Sequence, residues 1–301
     1  MPNKILYVDA SFSLLNEVRE SYQDLGAAIV SLTGTKLRRA DRFSQLAVLG
    51  ATSCCQSREL LRPSAAIVLS TSAGTLSTAV NMMTKIGVER QPPKPFQFIN
   101  SFGNSACYFL ARILGTHGAS IVVSQEQCSF ESGLLHAGQL LNQKPDGQVL
   151  VGGVDEALLP LDDHLRRHNR VNQTCDACYE GSHWLLLSGQ VTPASFAKIN
   201  ILGSFVPEGA NISDEISDFV GGSLSDALRL YNSESMGIGE SNDRESILSA
   251  PRAQVVPHGV YSGHNIERAC QLVRSGEHCN VVIVTCVLAT KRLYITSVAS
   301  V

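Results

Sequence analysis

The residues most able to do chemistry lie between Gly118 and Glu156, where a short strand leads into a helix through a sharp turn. Cys128 lies in that turn. A helix N-terminus lowers the pKa of a thiol and offers backbone N–H groups to an oxyanion. Gln127 directly precedes it, and an amide is not a nucleophile. Which of the two side chains occupies the tip of the turn therefore decides whether the chain could form a thioester.

Strand-like and helical segments alternate around this turn, as is typical of an α/β protein. The alternation of strands and helices starts again in the second half of the chain. We therefore predict one domain over 1–301, made of two halves at about 1–190 and 191–301. Its sheets are expected to be largely parallel. Strands are expected at 4–10, 27–32, 65–72, 120–124, 148–153, 183–188 paired with 196–205, and twice within 279–300. Helices are expected at 14–25, 41–56, 104–114, 130–142, 223–231 and 265–275.

The composition argues against several classes of function. The chain has 301 residues, 44% of them hydrophobic, and a formal net charge of -3. It has no basic stripe for nucleic acid and no run of about 18 apolar residues for a membrane span. The chain has nine Cys, which is an odd number, and its sequence shows no apolar leader. Both observations indicate reduced thiols in a cytoplasmic protein. Cys175 and Cys178 form a lone CxxC pair, so no metal site is predicted.

Several anchors around the turn fit one family pattern. Gly118-Ala119 begins the strand, Gln127 follows nine residues after Gly118, and Ala137 lies ten residues further on. Gly152-Gly153 ends the next strand, and Gly263-His264 precedes a helix near the C-terminus. In this ungapped register the turn resembles the nucleophile elbow of the thiolase-fold β-ketoacyl synthases, and the resemblance covers most of the chain. It implies a thiolase-like fold, with two related α/β halves stacked as five alternating layers.

The resemblance also implies that the catalytic residues of this family are mostly lost. Gln127 takes the place of the nucleophilic Cys, Met236 that of the first catalytic His, and Gly259 that of the Lys. His264 alone remains, where the family has its second catalytic His. No cofactor or metal is implied.

A Gln at the nucleophile position resembles the chain-length factor, the inactive partner of an active ketosynthase in type II polyketide systems. The short chain and the helix SFESGLLHA, beginning at Ser129, are most similar to such partners in aryl-polyene pathways. The resemblance implies a heterodimer or heterotetramer with an active ketosynthase subunit and transient contact with an acyl carrier protein. The chain would then be a subunit of an acyltransferase complex in polyketide or fatty-acid-like biosynthesis rather than an enzyme by itself.

The resemblance further implies which residues meet the partner. The family dimerises through the strand at 120–124, which contains Val122 and Val123, and through the neighbouring helix. Phe102, Phe130 and Leu134 are expected to line the acyl tunnel or the interface. For Phe130, ordinary core packing is an equal alternative, since apolar stripes most often form plain core.

Three alternatives remain open from the sequence. A register shifted by one residue makes Cys128 the nucleophile of a divergent active ketosynthase. The second alternative is a Gln-type decarboxylase that acts on malonyl-carrier protein, although decarboxylases of this type keep both catalytic His residues of the family. The third is a scaffold that binds the carrier protein without lining the tunnel. For His264, a hydrogen bond at a helix start is favoured over a catalytic role.

Overall fold

The structure of the chain is a computed structural model, and it describes residues 5–56, 60–160, 162, 177–208, 212–221, 227–232, 255–256, 260–287, 290 and 292–301. Two residues of the predicted degenerate site, Met236 and Gly259, lie outside these ranges.

Ten strands and eight helices are formed by the described residues, together with a 3-10 turn at Glu126–Cys128. The strands are β1 (Ile5–Val18), β2 (Ala66–Ser70), β3 (Ser120–Val123), β4 (Gln148–Asp155), β5 (Ala177–Ser188), β6 (Ala197–Phe205), β7 (Leu228–Asn232), β8 (Val255–Val256), β9 (Asn280–Val287) and β10 (Arg292–Ser300). The helices are α1 (Gly26–Thr33), α2 (Arg42–Cys54), α3 (Leu76–Gly87), α4 (Pro95–Asn100), α5 (Asn104–Leu114), α6 (Ser129–Gln143), α7 (Ile212–Val220) and α8 (Tyr261–Ser275).

The strand order repeats from one half of the chain to the other. The sheet runs β3-β2-β4-β5-β1-β6-β10-β9-β7, with β8 paired to the end of β5. The two halves place their strands in the same order from the centre of the sheet outward. The first half has the order β1, β5, β4, β2, and the second half has the order β6, β10, β9, β7. The halves meet where Ile5–Val8 of β1 pairs antiparallel with Ala197–Asn200 of β6. The chain therefore contains two related α/β halves joined edge to edge.

Three hydrophobic clusters place the helices in layers. Outside the N-terminal half, Phe43 of α2 and Leu110 of α5 pack against Trp184 of β5. In the centre, α6 and α8 pack together between strands of both halves. Outside the C-terminal half, Ile216 of α7 packs on Ile295 of β10. Each large apolar side chain fully buried in this way contributes about 1.5–3 kcal/mol. The layers alternate as helices, sheet, central helices, sheet and helix.

Close packing explains two glycines that anchor the family pattern. A Cβ on Gly118 would lie 2.2 Å from the backbone oxygen of Ala65, the residue before β2. A Cβ on Gly152 would lie 2.4 Å from the ring of Trp184 on the neighbouring strand β5. Atoms cannot approach so closely, so both positions require glycine for packing.

The predicted helix at 14–25 is wrong, because strand β1 continues to Val18. Phe12 and Leu14 face the outer hydrophobic cluster, while Ser11 and Ser13 make polar contacts with β5 and α8. This alternation has the period of two that belongs to a strand. The serines and Asn16 weaken the apolar pattern, which explains the wrong prediction.

Four further predictions need correction. Residues 27–32 form helix α1 rather than a strand, ended by Gly34 in the left-handed conformation. The described part of 223–231 contains strand β7, which pairs in parallel with β9, rather than a helix. The strands at 183–188 and 196–205 do not pair with each other, because β1 lies between them. The sheet is mixed rather than largely parallel.

Candidate functional site

The elbow predicted from the sequence is a tight turn between β3 and α6. Glu126 has φ of 47°, a left-handed conformation that is uncommon outside glycine. The hydroxyl groups of Ser129 and Ser132 hold the turn. Ser129 Oγ accepts from the backbone N–H of Gln125 at 2.8 Å and donates to the carbonyl of Glu126 at 2.7 Å. Ser132 Oγ also donates to the side-chain oxygen of Gln125. The turn is therefore fixed by local contacts.

Gln127 and Cys128 point in different directions from this turn. The side chain of Gln127 is exposed, whereas Cys128 is 2% exposed. The thiol of Cys128 donates to the carbonyl of Gln125 at 3.3 Å. Burial raises the pKa of Cys128, and the nearby carboxylate of Glu131 raises it further. Because an activated thiol needs a lowered pKa and access to substrate, this environment keeps Cys128 protonated and unreactive.

A bulky ring fills the space behind the elbow. Phe130 is fully buried, and a Cβ on Gly153 or Gly263 would lie 2.7 Å or 3.0 Å from its ring. Leu134 and Val123 belong to the same central cluster and are also buried. Five residues were predicted to line the tunnel or the interface. Three of them, Val123, Phe130 and Leu134, are therefore packed in the core of the described chain.

The other two, Phe102 and Val122, lie on an apolar surface that we call the α3–β3 face. Val122 belongs to β3, which ends the described sheet and leaves one backbone edge without a neighbouring strand. Helix α5 packs against β3, and a Cβ on Gly103, just before α5, would touch Val122 at 3.4 Å. We define this face by the exposed apolar side chains of α3, α4, α5, β3 and the segments joining them, which are Met83, Ile86, Val88, Phe96, Phe98, Ile99, Phe102, Tyr108 and Val122. An edge strand within a large apolar patch marks a protein interaction surface.

His264 lies in the first turn of α8 and is held by a serine. Ser13 Oγ lies 2.8 Å from Nδ1 of His264 and 2.8 Å from Nδ1 of the buried His183. Burial and the positive charge of Arg268 lower the pKa of His264, so the ring stays neutral. One hydroxyl proton serves only one imidazole, so the other ring must donate to Ser13. The geometry is that of a hydrogen-bonded histidine at a helix start.

Buried acids near the strand ends were missed by the sequence reasoning. Asp155 accepts from Thr71 Oγ1 at 2.7 Å, from the backbone N–H of Ser72 at 2.9 Å and from that of Val260 at 3.1 Å. It therefore ties the loop after β2 to the start of α8. Glu156 caps α3 by accepting from the N–H and hydroxyl of Ser77 at 2.7 and 2.9 Å. The only sequence signal was a pair of acids directly after a buried strand.

Glu180 forms an ion pair inside the N-terminal half. Its carboxylate accepts from Nε of Arg42 at 3.1 Å, also from Nη2 of Arg42, and from the amide of Asn16 at 3.3 Å. Among the residues that the structure describes, no cluster of His, Cys, Asp and Glu could hold a metal ion. Cys175 of the CxxC pair lies outside them. Within the same residues, no helix combines the length and apolarity that crossing a membrane requires.

Comparison with known proteins relates this geometry to solved structures. No protein family model matches the chain. No curated protein matches its sequence. One similar structure is the complex of the ketosynthase ApeO with its chain length factor ApeC from Xenorhabdus doucetiae. The matching chain of that complex is 15% identical in sequence, and the match covers 97% of this chain and 99% of that chain with a TM-score of 0.54. The ishigamide ketosynthase/chain length factor is 12% identical over 98% and 99% of the two chains, with a TM-score of 0.68.

The chain has a thiolase-like ketosynthase fold. A third structure agrees: the type II polyketide synthase complex AntDE:AntF, an acyl-carrier protein with its hexaketide-bound ketosynthase, is 11% identical over 99% and 100% of the chains, with a TM-score of 0.64. The predicted five-layered α/β fold is therefore confirmed. The predicted likeness to ketosynthases and chain length factors is confirmed at the level of structure.

Proposed function

We propose that the chain is a chain-length-factor-like, non-catalytic partner of an active β-ketoacyl synthase in polyketide or fatty-acid-like biosynthesis, with polyene pathways as the preferred setting. The observation that carries the proposal is the elbow, which presents the amide of Gln127 and buries a protonated Cys128. An amide cannot take an acyl group from a thioester. The ring of Phe130, packed against Gly153 and Gly263, leaves no room directly behind the elbow for a substrate.

The α3–β3 face supplies the surface for the active subunit. Its exposed aromatic and aliphatic side chains, together with the unpaired edge of β3, suit an apolar interface of the obligate type. Two of the similar structures are themselves ketosynthase and chain length factor pairs, and a third holds a ketosynthase with its acyl-carrier protein. By analogy, an active ketosynthase binds this face, and an acyl carrier protein visits the complex transiently.

Phe102 is the side chain through which the chain would set product length. It is 50% exposed on the α3–β3 face, and its ring lies 5.3 Å from that of Phe98 in an edge-to-face contact. Once the partner covers this face, the ring of Phe102 reaches into the partner's acyl tunnel and limits its depth.

A Phe102→Ala substitution is therefore expected to lengthen the acyl product of the complex by one or more condensation units, while Phe102→Trp shortens it. The measurement is the product distribution by mass spectrometry after co-expression with the partner ketosynthase. Phe219→Ala is the matched control, since Phe219 is an exposed aromatic residue of α7 that also contacts a second Phe ring and lies outside the α3–β3 face. Unchanged product length in both Phe102 variants, with the complex intact, would favour a scaffold that does not line the tunnel.

A further inference from the structure

A cavity of about 730 Å³ opens between the segment that precedes α2 and the helices α4 and α5. The segment contributes two cationic side chains to its wall, Arg38 and Arg39. The helices contribute aromatic rings, Phe96 from α4 and Phe109 from α5. No Asp or Glu of the described residues forms part of this wall. The volume lies within the range of about 300–1,000 Å³ that is typical of small-molecule sites. The cavity therefore has the size and the composition of a site for an organic anion.

Arg39 is held in the wall of this cavity through both its backbone and its side chain. Its φ of 65° is uncommon outside glycine. The carbonyl of Arg39 accepts a hydrogen bond at 2.7 Å from Nδ2 of Asn100, which is only 8% exposed. The guanidinium carbon lies 4.0 Å from the centroid of the Phe96 ring, and a guanidinium stacked in this way directs its N–H donors outward from its edge. Backbone outliers of this kind cluster at ligand sites, and this one fixes a cation at the cavity.

The positive charge of the cavity has no counter-ion among the described residues. In the part of the chain that the structure describes, neither Arg38 nor Arg39 forms an ion pair. A second cavity of about 280 Å³ shares Arg38 and Phe109 with the first. It adds Lys36 and Arg112 to the wall, again without a described carboxylate. A concave surface lined by cations concentrates anions, and guanidinium groups bind phosphate through paired N–H donors.

We propose that these two adjoining cavities bind an organic phosphate, namely a phosphate monoester that carries a flat apolar group. The phosphate is bound by Arg38 and Arg39, and the apolar group packs against Phe109 and Ile99. A phosphate monoester carries a charge of about −1.5 to −2 at neutral pH, which matches two guanidinium groups better than the single charge of a carboxylate does. The site goes beyond the proposed partner role, because its wall is complete in the free chain. Since Ile99 also belongs to the α3–β3 face, the test is made on the chain without a partner.

The probe is phenyl phosphate, which is titrated into the isolated chain at neutral pH and followed by saturation-transfer NMR. Binding to the unchanged chain should be saturable. Arg39→Ala should weaken it at least about tenfold, because charge-assisted hydrogen bonds to the phosphate are lost. Arg274→Ala is the matched control, since the guanidinium of Arg274 also lies over an aromatic ring, 4.8 Å from the centroid of Phe196, and neither residue lines the two cavities. This variant should bind phenyl phosphate as the unchanged chain does.

Phenol, inorganic phosphate and benzoate separate the features of the ligand. Phenol lacks the anion, inorganic phosphate lacks the ring, and benzoate carries a single charge, so each should bind more weakly than phenyl phosphate. Equally tight binding of any of the three would overturn the assignment to an organic phosphate.

The site itself would be contradicted if phenyl phosphate showed no saturable binding, or if R39A and R274A weakened it equally. Circular dichroism checks that the variants are folded. If R39A does not fold, Arg38→Ala takes its place with the same expected loss, because Arg38 is an exposed side chain of the same wall. The assay contains no ketosynthase and no acyl carrier protein. Its failure would therefore leave the partner role standing, and failure of the partner role would leave this site standing.

Discussion

A Val122→Asp substitution is expected to weaken association with a ketosynthase partner at least about 100-fold, while the chain itself stays folded. Val122 lies in β3 at the end of the described sheet and is 36% exposed, so an aspartate there remains solvated in the free chain. In the complex the carboxylate would be buried in an apolar interface without a counter-ion, which costs several kcal/mol. A 100-fold loss corresponds to about 2.7 kcal/mol.

The measurement is co-purification and light scattering of the co-expressed pair. Val191→Asp is the matched control, because Val191 is 57% exposed and lies in the turn between β5 and β6, outside the α3–β3 face. Circular dichroism of the free variants checks the fold. An intact complex with V122D, or equal disruption by V191D, would show that the α3–β3 face is not the partner surface.

The stability of the chain is expected to fall between about pH 5 and pH 8 because of Glu156. Burial, followed by the negative charges of Asp41 and Glu180, raises the pKa of Glu156 from 4.5 to about 8. In the unfolded chain the same group ionises near its ordinary pKa. Folding therefore takes up a proton, and the stability present below pH 4.5 is lost as the pH rises through the folded-state value. A shift of this size corresponds to about 4–5 kcal/mol, as an upper limit.

Glu156→Gln is expected to remove most of this pH dependence, since an amide has the same shape and still accepts from the N–H of Ser77. Urea unfolding at pH 5, 7 and 9 measures the difference from the unchanged chain. Glu89→Gln serves as control, because it removes an exposed carboxylate just beyond α3. If E156Q and the unchanged chain lose stability in parallel between pH 5 and pH 9, the assigned role of Glu156 is wrong.

Local patterns predicted much of the fold, but they failed where tertiary contacts decide. Helices α2, α5 and α6 and strands β2, β3 and β4 follow apolar spacing that is evident in the sequence. The end of β1 does not follow such spacing, because Ser11 and Ser13 form hydrogen bonds with residues more than 150 positions away in the sequence. A pattern of neighbouring residues does not contain these contacts. Helix α1 was mistaken for a strand because its apolar residues are consecutive and only Ile29 is buried.

The candidate site was only partly accessible to sequence reasoning. The glycines of the family pattern located the elbow, because close packing leaves no alternative at Gly118 and Gly152. The directions of Gln127 and Cys128 depend on the hydrogen bonds of the turn, which spacing does not encode. The buried position of Glu131 depends on hydrogen bonds with Ser262 and Thr285, which lie 131 and 154 residues away in the sequence.

The most direct test of the account is intact-protein mass spectrometry of the chain after incubation with acyl-loaded carrier protein, alone and in complex with its ketosynthase. The account predicts an acyl adduct on the ketosynthase subunit and none on this chain, since Gln127 cannot form a thioester and Cys128 is buried and protonated. A stable acyl adduct on this chain that disappears in a Cys128→Ala variant would contradict it and establish a divergent active ketosynthase.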